Sequence, residues 1–382
     1  MLIFLCYFFY KTILFFYIYR IFSAMKFKVL FISIVLGFLA TNSYHAQTVC
    51  TWTGTTDTDW DKNANWTTTV GGAPAASAKP TNFSDVIIPD VSAGSGNDPS
   101  MDFDGEASSL TINTGGELTI NIGKTLDVGG NIDIDGTLIL SRGTIQCGGN
   151  WDDTDGTLTH VFFGTVDLDG SGPHTINCKA GNVFRTVNIE AGTYSALSDI
   201  FVDNRIEIKV GASFDPAGFR TKIKAGATTN IKSGGTLNFS DANGIFEAVS
   251  TFDAGDGANI TFAANGTLKL AGTAPRLGRT NGAEFTNTTG TVKYYLSGGG
   301  STQDIYDIPY FNLTIIGTDA TDVKTANSNL DVDGTLTITN GNLTLNNIDL
   351  DLEGDFTMAA GSFAPGNSAA NNVAGIWNET GG

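Results

Sequence analysis

Asp152, Asp153, Asp167, Asp169, His160 and His174 lie close together in the chain and are of the types that acid–base chemistry needs. Paired carboxylates are the minimum for glycoside hydrolysis, and an Asp cluster with nearby bases serves polysaccharide lyases. The signal is weak, because 39 Asp and Glu make a local cluster expected by chance. Neither histidine sits in a recognisable motif. Gly-x-Ser-x-Gly, Gly-x-x-x-x-Gly-Lys-Ser/Thr and Cys-x-x-Cys patterns do not occur. The sequence therefore predicts no catalytic residue and a chain that is not an enzyme. A lyase or hydrolase of β-helix type is the most distant alternative.

Metal and sugar chemistry have their own candidates. Asn131-Ile-Asp-Ile-Asp-Gly136 and Asn329-Leu-Asp-Val-Asp-Gly334 match the first half of an EF-hand loop. The position that should hold the bidentate Glu is Arg142 in one and Asn340 in the other. Their alternation reads as a strand followed by a turn, with Ile132, Ile134, Leu330 and Val332 inward. No metal site and no cofactor are predicted beyond calcium held loosely by rows of Asp. Trp52, Trp60 and Trp66 precede the first repeating strands and are assigned to an N-terminal cap. The alternative is a carbohydrate-binding platform, since indoles stack on apolar sugar faces. Cys147 and Cys178 are separated by somewhat more than one expected coil. That spacing allows either a disulfide between neighbouring coils or two small buried hydrophobes. With Cys50 the count after residue 46 is odd, against a disulfide-built fold.

The elements that must position these groups are short. Between Leu110 and Leu140 the chain reads Leu-Thr-Ile, Leu-Thr-Ile, Leu-Asp-Val, Ile-Asp-Ile and Leu-Ile-Leu, separated by Gly-Gly, Gly-Lys and Asp-Gly. Apolar ends around a mostly polar middle are the period-2 signature of a strand with one buried face. The spacing is too tight for sandwich strands, which recur every ~8–12 residues. It suits a right-handed parallel β-helix, an all-β solenoid in which each coil buries its apolar row against the next. Tandem β-sandwiches are the alternative fold. The expected inward stack is Leu110, Ile112, Leu118, Ile120, Leu126, Val128, Ile132, Ile134, Leu138 and Leu140.

Charge and the front end set the compartment. The formal charge is −18, and residues 1–46 hold Lys11, Arg20, Lys26 and Lys28 with no acid, so residues 47–382 carry −22. Such a chain repels nucleic acid, so no nucleic-acid partner is expected. Met25-Lys-Phe-Lys followed by Val29 to Ala40 reads as a secretory signal peptide over 25–46. Residues 1–24 are a misassigned start or a membrane segment, the only expected membrane contact.

The Trp52-Thr-Gly, Asp59-Trp and Asn65-Trp opening, followed by Asp85-Val-Ile-Ile-Pro89, resembles the start of large β-helical surface proteins of environmental bacteria. Many of these are exported by the type IX route, and they are loosely similar to filamentous-haemagglutinin and autotransporter passenger domains. A repeat strengthens the resemblance. Gly164-Thr-Val, Ser171-Gly and Phe184-Arg-Thr-Val-Asn-Ile recur, at one constant offset, as Gly290-Thr-Val, Ser297-Gly and Tyr310-Phe-Asn-Leu-Thr-Ile. Residues 47–100 are expected to be the cap region and 101–382 the β-helix, with related modules 151–276 and 277–382. Gly375-Ile-Trp377 echoes Gly149-Asn-Trp151, so the chain reads as a fragment that stops where another module opens. The resemblance implies a non-catalytic, secreted or cell-surface stalk of adhesin type. Its partner would be an extracellular polysaccharide or surface ligand, and a glycan-binding module is the alternative.

Overall fold

In the strand Ile132–Ile134 both isoleucines are buried and Asp133 between them is exposed. That arrangement is repeated along the chain, because a strand this short has only one way to hide its apolar ends. The computed structural model describes residues 47–94, 96–277, 285–296, 301–318, 321–366 and 371–380. The expectations for residues 1–46, the signal peptide among them, lie outside the described residues. Residues 47–382 form one compact unit.

Strands stack in parallel from coil to coil. On the first face Val86 pairs with Leu110, Leu110 with Ile132, Ile132 with Trp151 and Trp151 with Ile176. These steps are unequal in chain length: the turn from Ile132 to Trp151 is the shortest of the four, and the next, from Trp151 to Ile176, is the longest. A second face begins with Ser100–Met101, Glu117–Ile120, Thr137–Ser141 and Thr157–Val161. A third begins with Gly105–Ala107, Thr125–Val128, Thr144–Cys147 and Thr165–Leu168. Together they make a β-solenoid of about 13 turns. The sandwich alternative is overturned: among the described strands only the N-terminal hairpin pairs antiparallel.

The expected inward stack is borne out, since every one of its residues is at most 1% exposed. Burying each such side chain contributes roughly 1.5–3 kcal/mol. The Asp-Gly turns fit because the coils approach closely there. A Cβ on Gly136 would stand 2.3 Å from the Gly116 carbonyl oxygen of the coil before, so the glycine is needed for space rather than for its φ.

At the N-terminal end Thr48–Trp52 pairs antiparallel with Trp66–Val70 and parallel with Ser84–Ile88 of the first coil. The hairpin thus covers the open edge of the first face, where unpaired amides would otherwise invite another strand.

One coil departs from the pattern. After Pro173–Cys178 on the first face, residues 179–183 form no strand, and the chain goes directly into Phe184–Ile189. In the next coil the long strand Ile200–Ile208 rounds a corner. Its first half pairs with Arg220–Ile223 and its second with Thr228–Ile231. The long internal repeat keeps its local pairing step, Thr165 with Thr186 and Thr291 with Asn312. Traced through their partners, however, Thr165 belongs to the third face and Thr291 to the second. The repeat is not a whole number of turns. Trp377 likewise lies on a different face from Trp151: it is in register with Phe356 on the second face, whereas Trp151 is in register with Ile132 on the first.

Ile134→Asp places an uncompensated carboxylate in the stack and should cost about 3–5 kcal/mol. Urea denaturation followed by circular dichroism checks this, and an unchanged midpoint would refute the register.

Candidate functional site

The acids and histidines that sequence brings together are separated by the fold. Asp152 and Asp153 lie on the first face, His160 on the second and Asp167 on the third. Asp152 accepts from its own turn, the Thr154 hydroxyl at 2.7 Å. Asp153 is fully buried and accepts the Lys179 amide at 3.0 Å, and burial pushes its carboxyl up. Asp167 accepts from Asn188 at 2.7 Å and is also pushed up, chiefly by burial. His174 packs beside Tyr194, ring centroids 5.2 Å apart. Asp153 and Asp167 thus each tie their coil to the next, Asp152 stands in register with Asp133 of the coil before, and the three carboxylates lie on two different faces.

The three N-terminal tryptophans are interior. Trp52, Trp60 and Trp66 are 1%, 3% and 1% exposed. Trp66 takes an edge-to-face contact from each of the others, at 4.9 and 4.8 Å. The Trp52 indole donates to the Asn97 carbonyl and the Trp66 indole to the Trp60 carbonyl. With both ring faces packed they cannot serve as a sugar platform, and that use of these residues is corrected. Of the two readings open for Cys147 and Cys178, the structure agrees with the buried hydrophobes and not with the disulfide. Cys147 and Cys178 are both free and buried, Cys147 on the third face and Cys178 on the first. One turn after Cys147 the chain is at Leu168, its partner in register. By Cys178 it has therefore completed that turn and moved on to another face. Among the described residues no group of three or more His, Cys, Asp or Glu converges as metal ligands would. Asp133 and Asp331 occupy exposed mid-strand positions.

Two features that sequence reading missed stand out instead. The first is a cleft of about 800 Å³ where residues 179–183 leave out a second-face strand. Val183, Leu197, Phe201 and Phe219 make its apolar wall, with Cys178, Asp199 and Lys224 beside them. Leu197 and Phe219 are exposed, at 49% and 37%.

The second feature begins at that cleft and runs down the second face. Phe201 is in register with Lys222, Lys222 with Glu247, Glu247 with Lys269 and Lys269 with Lys293. All five alternate with inward residues, so their side chains point outward. Glu247 is nearly saturated. It accepts Arg220 Nε at 2.9 Å and the Tyr295 hydroxyl at 2.8 Å, and Lys222 Nζ lies 3.5 Å away. Burial pushes the Glu247 carboxyl up, but Tyr295 and Arg220 outweigh it and hold the group below its ordinary value. Among the described residues Lys269 and Lys293 form no ion pair with a carboxylate. Burial, then the neighbouring cations, hold the Lys269 ammonium below its usual range against the pull of Glu247. Below them the same column continues as Thr314, Thr337, Thr357 and Asn378.

Residues 51–144 match a family described as a domain of unknown function (DUF8693), a stretch covering the hairpin and the first coils. No curated protein and no solved structure matches the chain.

His160 yields a pH prediction. Its Nε2 accepts the Arg185 amide at 3.3 Å and its Nδ1 is buried without a partner. Burial brings its pKa from 6.5 down to about 4, with Asp203 opposing and Arg185 assisting. Between those values the unfolded chain binds a proton that the folded chain refuses, so stability contributed by neutral His160 is lost as pH falls from 6.5 towards 4. In His160→Gln this loss should vanish, a difference of at most about 1.4 kcal/mol per pH unit. Denaturation midpoints of both proteins across that range measure it.

Proposed function

We propose that this protein is a non-catalytic stalk of adhesin type, secreted or held at the cell surface, that carries binding elements away from the cell. The observation supporting this most directly is the stack of about 13 turns with one apolar core from Cys50 to Met358. A chain built as a rod gains reach with each added turn, and its flat faces can display side chains in register. The scattered carboxylates of Asp152, Asp153 and Asp167 favour display over hydrolysis. The secretory reading of residues 25–46 and the acidity of the remainder fit an extracellular setting.

At ~4.8 Å per turn the stack should measure ~60 Å along its axis, beyond the N-terminal hairpin. Small-angle scattering should give an elongated particle of that order, and polysaccharide panels should show no release of sugar ends. Antibody against the solenoid should label intact cells. Turnover of a polysaccharide would remove the non-catalytic reading, and labelling only after permeabilisation would remove the surface location.

A further inference from the structure

We propose that the second face, from the cleft beside Phe201 to Lys293 and the threonines below it, is a binding track for an acidic polysaccharide. The inference deepens the stalk reading and rests on it in one respect, that the face meets extracellular polymers.

Charge carries the argument furthest. Residues 47–382 have a formal charge of −22, so cations are scarce and their placement is informative. Arg220, Lys222, Lys269 and Lys293 are nevertheless gathered around a single acid, Glu247, on adjacent coils. Lys269 and Lys293 stand next to each other in register, one rung of ~4.8 Å apart. Like charges directly across a ladder destabilise a sheet. Glu247 attracts Lys269 but relieves the pair only in part, because this one carboxylate is shared with Arg220, Lys222 and Tyr295. An anionic polymer laid along the axis would supply the missing counter-charge at both lysines.

The flanking groups specify sugar rather than phosphate. Thr267 and Thr291 lie beside the lysines on the same strands, and Thr314 and Thr337 extend the column, so hydroxyls line the path. At the upper end Phe201 leads into the cleft, where Phe219 is also open to solvent. Aromatic rings there can take the apolar face of a pyranose, as hydroxyls and ammonium groups take its edges and carboxylates. Tight nucleic-acid binding rests on many lysine and arginine contacts to phosphate, whereas here Glu247 interrupts the column and threonines replace lysine below Lys293.

Calorimetric titration of the purified protein with polygalacturonate, dextran sulfate, methyl-esterified polygalacturonate and single-stranded DNA tests the proposal. The first two probes separate carboxylate from sulfate recognition. Saturable binding to at least one of them is expected, weakened by high salt, with none to the esterified polymer. The double variant Lys269→Gln/Lys293→Gln should bind whichever acidic polysaccharide the native protein binds roughly tenfold or more weakly. Lys269→Arg/Lys293→Arg should retain binding, which separates loss of charge from loss of fold. No binding to either acidic polysaccharide, equal binding by the Gln variant, or tighter binding of DNA would each overturn the track. The stalk reading fails differently, through turnover or a compact scattering profile, and neither result alters the titration.

Discussion

Every coil depends on one requirement: the two apolar ends of a very short strand must face the lumen together. Because side chains alternate, the residue between them is forced outward. The same rule therefore builds the core and decides what the surface shows. Leu126 and Val128 disappear inside while Asp127 is displayed, and one turn later Ile145 and Cys147 do the same for Gln146. Parallel register then converts single positions into columns that run along the rod. A feature such as the lysine pair is a by-product of this geometry, since it requires only one residue choice per turn.

That rule explains what was legible in the sequence and what was not. The inward set from Leu110 to Leu140 could be read because alternation is a local signal and the turns between strands are short. The three tryptophans could be read as a cap, since large aromatics just before the first coil have an open edge to cover, and their burial agrees with that reading. Relations between coils were hidden. Lys222, Glu247, Lys269 and Lys293 are neighbours on the face but unequally spaced along the chain, and no fixed period reveals them. The choice between a disulfide and two buried cysteines stayed open for the same reason, since the gap from Cys147 to Cys178 means nothing until the length of that particular turn is known. The acids and histidines between Asp152 and His174 were near in sequence and were dealt to three faces.

The cleft was illegible for a different reason, because it results from something left out. Lys179-Ala-Gly-Asn-Val183 lacks the apolar alternation of its neighbours, and where it passes, the second face loses one strand. Phe201 and Phe219, in the turns that follow, are left without the cover a complete rung would give. So short an irregularity is easily dismissed as a loose turn when read in one dimension. In a solenoid it becomes a notch in an otherwise continuous wall, and the column of Lys222, Glu247, Lys269 and Lys293 starts at that notch.

The direction of the backbone hydrogen bonds has a mechanical consequence. They join coil to coil, so they lie along the long axis and carry any tension applied to the ends. Pulling would detach an outer turn while the turns beneath it keep their full set of contacts. A single turn that occupied ~4.8 Å of the rod would then release roughly 65–90 Å of extended chain. A tether built this way would lengthen in discrete steps and absorb shear by yielding from its end, leaving most of the displayed face intact.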